Sequence, residues 1–355
     1  MLQTALHDWH VEHNARMVDF SGWHMPIQYS SIVEEHHAVR SSWGLFDIAH
    51  MGRLWFEGPQ HVAFLDHILT NHVAVMTPGM VRYSLVCNEG GGILDDVLIY
   101  RFEDRCLLVV NAANREKIVD WIEQHRAGFD FEYQDTTLET FMVAAQGPVT
   151  AASLQQHLNI DLAELRYYSV ANAQIFDIDC VISRTGYTGE DGLEIIVSND
   201  QALALWEKLM ACDPHPIACG LGCRDTLRLE AAMPLYGHEM DESVDPATAG
   251  LMFGVRLKKE DFIGRSALQS FKQRDDLPRR IGLKLEGRRI AREGAKLMSG
   301  DEELGTVTSG TYSPTLEAAI AMGYITRDVD ELEVDIRGKR LPAQVVPLPF
   351  YKRIP

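Results

Sequence analysis

At 355 residues, with a net charge of −18 from 33 basic and 51 acidic side chains, the chain is longer than one ordinary domain and too acidic for a nucleic-acid surface, which needs a basic stripe to neutralise phosphates. A composition of 46% hydrophobic and 24% charged residues is that of a soluble globular protein, and runs such as VLIY after Asp96 are far too short to span a membrane. The start, MLQTALHDWHVEH, carries neither an Arg-rich nor an apolar targeting pattern, so a cytoplasmic protein is expected, with its six scattered cysteines (Cys87, Cys106, Cys180, Cys212, Cys219, Cys223) reduced.

Residues 14–30, NARMVDFSGWHMPIQYS, read as a short strand entering an aromatic turn closed by Pro26. SSIVEEHHAVRSSWG has helical spacing from a Ser start to a Gly44 stop, with Ile32, His36 and Val39 on one side. The adjacent His36 and His37 face different directions on such a helix and make a poor chelate. FDIAHMGRLWFEG follows as a strand, with His50 and Met51 packing in the core beside it. HVAFLDHIL is a helix, and VRYSLVCN a strand with Tyr83 near its start.

After the GGG turn (Gly90 to Gly92), ILDDVLIYRF alternates so that Asp96, Leu98 and Tyr100 share one face, and Asp95, Val97 and Ile99 the other. The two aspartates therefore do different jobs. A carboxylate beside Leu98 and Tyr100 is either a turn residue just outside the sheet or a deliberately placed charge. CLLVVNAAN is the neighbouring strand, ending in two asparagines, and REKIVDWIEQHR is a helix, which completes a compact α+β unit. LETFMVAAQGP and TAASLQQHL add a further strand and helix.

SRTGYTGEDGLE (Ser183 to Glu194) is the most informative stretch. Its three glycines recur every third residue, which allows positive φ or a close backbone approach at each. No Lys-Ser/Thr pair follows, as a phosphate loop would need, and the dinucleotide fingerprint's spacing is missing. An ordinary hairpin turn and a ligand-holding loop both fit. Glu194 favours the second, because a carboxylate entering the apolar strand LEIIV needs a partner. QALALWEKLMA then reads as an amphipathic helix with Leu203, Trp206, Leu209 and Met210 inward. In GLGCRDTLRLEAAMPLYGHE, Arg224 and Arg228 lie one turn apart and either form salt bridges with Asp225 or Glu230 or clamp a ligand carboxylate; Pro234 to Gly237 ends the helix. His215, Cys219 and Cys223 lie four apart, but flanking prolines and glycines break the helix that would align them, so no metal is expected. Residues 258–280 read as a connector and a surface helix, and the tail, with IGLKLEG, ELGTVTSGTYS, AIAMGYIT and ELEVDIRGKRLPAQVV, as an all-β sandwich or barrel.

Taken in order, MVDFSGWHMPIQY, EEHHAVR, GLFDIAHMG, GGILDDVLIY, VVNAANREK, AAQGP, SRTGYTGEDGLE, GLGCRDTLRLEAAMPLYG, DFIG, GTVTSGTYSP, MGYI and PFYKR cover almost the whole chain. This set resembles the aminomethyltransferases (T proteins) of the glycine cleavage system. The resemblance implies an α+β, three-lobed cloverleaf around a folate site: a discontinuous first lobe (1–50 plus 139–250), a second α+β lobe carrying Asp96 (51–138), and a C-terminal β domain, barrel- or jelly-roll-like (251–355). It implies tetrahydrofolate as co-substrate, the lipoyl-carrying H protein as partner, and transfer of a one-carbon unit from the lipoyl aminomethyl group with release of ammonia. By the same resemblance Asp96 is the essential acid, Glu194 takes the pterin's paired donors, and Arg224 contacts the folate. Tyr83, Tyr100, Val110, Asn111, Tyr168 and Tyr187 are candidate walls, with Met51 and Tyr351 as further carry-overs. A non-catalytic folate-binding protein of this fold and a folate-dependent demethylase of a sulfonium or methylated amine are the alternatives. The chain departs from relatives at Asn14, where a small Gly is usual, and at CGLGC (Cys219 to Cys223). Since this chain and the family's carriers are both acidic, docking is expected to use a local basic patch of Arg288, Arg289 and Arg292 with Arg337, Lys339 and Arg340.

Overall fold

Alternation along the central strands decides the architecture. In the strand Thr140–Gln146, Phe141, Val143 and Ala145 enter one apolar cluster while Met142 and Ala144 enter another. A strand apolar on both faces must be covered on both. The computed structural model, which describes residues 1–353, places this strand inside a six-stranded sheet. The sheet runs in the order Val170–Ile175, Ile178–Ser183, Gly192–Ser198, Thr140–Gln146, Gly44–Asp47 and Ile217–Ala218, antiparallel except for the last pair. A second, antiparallel sheet runs Val81–Cys87, Ile93–Arg101, Arg105–Val110, Gly52–Glu57, Glu132–Asp135.

Each sheet has its own outer core. Leu154, Leu205, Trp206 and Leu209 from the helices Thr150–Gln155 and Ala202–Met210 cover the first sheet. Phe64, Leu65, Ile118 and Ile122 from His61–Ile68 and Arg115–His125 cover the second. The inner faces share one cluster, with Phe46, Met142, Ala144 and Ile196 from the first sheet and Val81, Tyr100, Leu107 and Val109 from the second. At about 1.5–3 kcal/mol for each large apolar side chain buried, this shared cluster is enough to hold the sheets face to face.

The tail is a closed barrel, which decides between sandwich and barrel: Arg279–Leu285, Ala318–Ile325, Glu302–Ser313, Lys296–Ser299, Glu333–Ile336 and Lys339–Val346, closing on the first strand. The helix Leu221–Glu230 joins it to the sheets. Cys223 and Leu227 pack in the shared inner cluster, Leu229 packs on Ile320 and Met322 of the barrel, and buried Arg228 bonds Glu239 at 3.0 Å and Ser309 at 2.9 Å. Residues between 251 and 271 pack with Leu85, Cys87 and Ile93 at the end of the second sheet.

Several local expectations are corrected. FDIAHMGRLWFEG is two strands in two different sheets, because the chain crosses between them at Ile48–Met51. Pro26 lies inside the strand Trp23–Gln28, tolerated because its two-stranded pairing with Arg16–Phe20 leaves a free edge. Leu203 is exposed and Leu205 takes its inward place, since a 3₁₀ turn at Asn199–Gln201 sets the helix phase. The helix carrying Arg224 stops at Glu230, ahead of Pro234, where Ala232 takes a left-handed φ of +54°. Ser31 caps its helix as expected, accepting from the Glu34 amide at 3.2 Å. Among the described residues no helix is long and apolar enough to cross a membrane.

Candidate functional site

Period-two geometry delivers two carboxylates to the gap between the sheets. In Gly192–Ser198, Leu193, Ile195 and Val197 point outward into the first sheet's own core, so Glu194 and Ile196 face inward. In Ile93–Arg101, Val97 and Ile99 enter the second sheet's core, so Asp96, Leu98 and Tyr100 face the first sheet. Asp96 pairs in register with Leu85 and lies within the strand, which removes the turn reading and leaves a placed charge.

The SRTGYTGEDGLE segment is both a hairpin connection and a braced loop. Gly186 and Gly192 press so closely on Gln146 that a Cβ at either would overlap its side-chain amide, and Gly189 takes φ +82°. Gln146 donates to the Thr185 carbonyl at 3.1 Å and accepts from the Thr188 hydroxyl at 3.0 Å. Arg184 grips Asp191 with two N–H donors, at 3.0 and 2.5 Å. So fixed, the loop puts the Thr185 hydroxyl on one oxygen of Glu194. Burial pushes the Glu194 carboxyl up, and Thr185 and Arg224 pull it partly back.

Around the gap stand four tyrosines. Tyr83 and Tyr100 hold buried hydroxyls without a hydrogen-bond partner; Tyr83 faces Asp96 and Tyr100 faces Glu194. The Tyr83 hydroxyl is near enough to help hold the Asp96 carboxyl down without reaching good hydrogen-bond geometry. Tyr168, with a strained φ of +61°, lies within the field of both acids, each of which adds to burial in raising its hydroxyl. Tyr187 donates to the Pro234 carbonyl at 2.5 Å, and the Arg224 guanidinium stacks on its ring at 4.7 Å. Arg224 Nη1 and His50 Nδ1 are also buried and unpartnered, and burial together with Arg224 drives the His50 ring down to about 3, so it is neutral. Since buried polar groups are as a rule satisfied, these unpartnered donors and acceptors make the gap the candidate site for a polar ligand.

Asp96 is half-buried and its neighbour Asp95 fully buried. Asn111 donates its side-chain amide to Asp96 at 2.7 Å and to Asp95 at 2.9 Å, its backbone N–H reaches Asp95 at 3.0 Å, and Asn114 adds a further bond to Asp95 at 2.6 Å. Burial raises both carboxyls. The charge of Asp96 raises Asp95 further, while the amides pull both partly back.

Not every expected residue comes here. Val110 does not line the gap: strand alternation turns its side chain into the second sheet's core, against Gly52. Asn111 holds the acids rather than forming a wall, and Met51 packs at the edge of the shared inner cluster. Tyr351 lies under the Arg40 guanidinium at 4.0 Å, beside Glu190 of the glycine-rich loop, with its amide on the Glu230 carbonyl at 2.8 Å. The Arg224–Arg228 pair divides: Arg228 is a buried ion pair with Asp225 and Glu239, and Arg224 is free for a ligand. Sequence reasoning missed Asn114, Thr185 and the nearness of His50 to Arg224. The two asparagines ending CLLVVNAAN and the hydroxyl two residues after Ser183 were the available signals for the first two.

Among the described residues no cluster of three or more His, Cys, Asp or Glu side chains is placed to hold a metal. His215 is exposed, Cys219 and Cys223 are buried, and His36 spends its ring nitrogens on Thr226 and Thr315, at 2.8 Å each. Two open cavities, of about 950 Å³ at one end of the barrel and about 650 Å³ between Asn88 and Tyr324, include none of the expected site residues except by proximity in sequence, and convergence of buried polar groups outweighs volume in choosing the site.

Residues 6–259 match the family model described as the GCVT N-terminal domain, and residues 279–352 the glycine cleavage T-protein C-terminal barrel domain. The chain is 45% identical to the aminomethyltransferase of Geobacillus kaustophilus, across 99% of both chains. It is 44% identical to that of Rubrobacter xylanophilus, across 99% of this chain and 94% of the relative. Among solved structures, the glycine cleavage system aminomethyltransferase T from Bartonella henselae superposes with a TM-score of 0.92 at 35% identity, covering 99% of this chain and 98% of that one.

Proposed function

Because the chain belongs to the glycine cleavage T-protein family of aminomethyltransferases, we propose that it takes the one-carbon unit from the aminomethyl group on a lipoyl carrier, the H protein, in the cytoplasm, and delivers it to tetrahydrofolate, releasing ammonia. The single observation that carries this reading is the convergence of Asp96, Glu194, Arg224 and four tyrosines, with four orphaned buried polar atoms, on one gap.

The residue chemistry fits a reduced pterin. The ring presents an N–H beside an exocyclic amine, two parallel donors that the two oxygens of one carboxylate accept together; in Glu194 one oxygen is unspent and the other, which accepts from Thr185, keeps a second lone pair. Tyrosine rings suit a flat heteroaromatic system with a polar rim. Arg224 supplies an unspent donor for a carbonyl or carboxylate.

In the exchange two C–N bonds form to the migrating carbon while its bonds to the amine nitrogen and to sulfur break. The two protons shed by the folate nitrogens leave on ammonia and on the lipoyl thiol. When either old bond breaks first, the carbon becomes iminium-like and positive. A carboxylate already in place stabilises that charge without reorganising, and Asp96 has this role, with proton acceptance from the attacking nitrogen as a second. The membership of the two sheets supports the division of the first two lobes, 1–50 with 139–250 and 51–138, whereas the expected start of the third lobe at 251 is too early: residues between 251 and 271 pack against the end of the second sheet, and the barrel's own strands begin at Arg279.

The test is an assay with aminomethyl-loaded carrier. Ammonia and methylene-tetrahydrofolate should appear in equal amounts, each dependent on lipoyl carrier and folate. Folate binding without ammonia release would instead indicate a non-catalytic folate binder, and methyl transfer from a sulfonium or methylated amine a demethylase.

A further inference from the structure

A spacing of four puts His36 and Arg40 on one face of the helix Ile32–Ser41, and both side chains reach Glu230. Arg40 reaches further. Its buried guanidinium spends every N–H it has: Nη1 donates to the Thr188 carbonyl at 2.8 Å and to Glu190 Oε1 at 2.9 Å, Nε and Nη2 donate to Glu230 Oε2 at 3.1 and 2.9 Å, and Nη2 also meets the Leu227 carbonyl at 3.4 Å. Thr188 and Glu190 belong to the glycine-rich segment 183–194, and Leu227 and Glu230 to the helix Leu221–Glu230.

Those two pieces of chain carry Glu194 and Arg224, which face one gap from different elements and share no hydrogen bond. Any change in the distance between loop and helix is therefore a change in the distance between the two groups. Two further contacts close the same junction: Gly189 lies so near Ala231 that a Cβ there would come within 2.9 Å of its side chain, and Tyr187 bonds the Pro234 carbonyl. On its far side Glu230 is fixed to the barrel, accepting from the Ser313 hydroxyl, from the Thr315 amide at 3.2 Å and from the Thr315 hydroxyl at 2.9 Å. Glu230 is thus an anchored end, and Arg40 hangs the loop from it. Only a planar fork with five donors can serve both sides; an ammonium is a point charge with three.

We propose that Arg40 is a positioning residue for folate, a strut that sets the separation of Glu194 and Arg224 before the ligand arrives. The proposal rests on the reading of those two residues as the groups that hold folate. It places the effect in affinity rather than in chemistry: the cost of ordering the loop is met in the folded protein instead of being charged to binding, and Asp96 stands on the other sheet.

Arg40→Lys in the full-length protein tests this. Tetrahydrofolate affinity measured by calorimetry should weaken roughly tenfold, the scale of ordering one or two side chains on binding. Turnover at saturating folate and the KM for loaded carrier should stay within about twofold of native. Hydrogen exchange of the ligand-free protein should be faster in the variant across residues 184–192 and slow again when folate is bound. Thr315→Ala is the comparison, since it loosens Glu230 on the barrel side and leaves the bonds from Arg40 to the loop in place; its folate affinity should be native. Equal losses of affinity in Arg40→Lys and Thr315→Ala, the mark of general loosening, would overturn the proposal. So would a fall in saturated turnover with affinity kept, or native loop exchange in Arg40→Lys. If Arg40→Lys does not fold, Glu190→Gln decides: it discharges the loop's anchor with the Glu230 side intact, and the same pattern at smaller amplitude supports the strut, whereas native affinity and native exchange end it. A native chain that binds no tetrahydrofolate refutes the proposed function itself, while faster loop exchange with native folate affinity refutes the role of Arg40 alone.

Discussion

Replacing Asp96 by Asn exchanges one oxygen for an amide nitrogen, keeping a shape that Asn111 can still hold while deleting the charge. If the migrating carbon becomes cationic about 4 Å from this side chain, the lost interaction is worth about 4 kcal/mol at an effective dielectric of about 20. Removal of one preorganised electrostatic group elsewhere costs about 2.7–4 kcal/mol, on the order of 10²–10³ in turnover, and the two routes agree. Folate binding should change only a few-fold, since Glu194, Thr185, Arg224 and the tyrosines are untouched and the variant no longer desolvates an anion. Single-turnover formation of methylene-tetrahydrofolate from loaded carrier, with folate affinity measured in parallel by calorimetry, separates the two effects. In the native protein the same charge predicts an acid limb. Burial raises Asp96, so activity is present when it is ionised and is lost as pH falls through a midpoint above the ordinary carboxylate value of about 4. Near-normal turnover in the variant, or a fall in folate affinity as large as the fall in rate, would refute the reasoning.

The remaining perturbations address binding, stability and docking. Glu194→Gln swaps an acceptor oxygen for a donor against the pterin and should weaken folate binding by about 1.5–3 kcal/mol, roughly 10- to 150-fold by calorimetry. Arg228→Met leaves Glu239 buried without its partner and should destabilise by about 3–5 kcal/mol, seen as a lowered denaturation midpoint. Against the upward pull of burial, His36, Ser313 and Arg40 hold Glu230 down to about 2. The stability this contributes is present above the usual glutamate value and lost as pH falls toward 2; acid denaturation of Glu230→Gln should lack this component. Arg288, Arg289, Arg292, Arg337 and Lys339 are exposed, and carrier affinity should fall as salt rises to physiological strength; salt-independent binding would remove the basic patch from the account.

Period-two alternation made the opposite faces of Asp95 and Asp96 legible in the sequence, because strand geometry is local, and Glu194 stood out as a carboxylate entering an apolar strand. What stayed hidden depends on partners distant in the chain. Val110 looked like a wall until pairing with Gly52 showed which face it takes. The Asp96 turn reading gave way once Leu85 was found opposite it in register. FDIAHMGRLWFEG gives no local sign that its halves enter different sheets, and Arg228 looked like a surface residue because Glu239 and Ser309 come to it only when the barrel docks. The outward Leu203 reflects a shift of helix phase set by the preceding 3₁₀ turn, a boundary effect that periodicity alone does not resolve.

The most direct measurement is a crystal structure of the chain with tetrahydrofolate bound. The account predicts the pterin between the two sheets with its paired donors on Glu194, and the Asp96 carboxylate about 2.6–3.2 Å, or one water, from the nitrogen that receives the carbon. A pterin seated in the barrel or on an outer face, or one lying between the sheets with Asp96 turned away from it, would contradict the mechanism even with the fold unchanged.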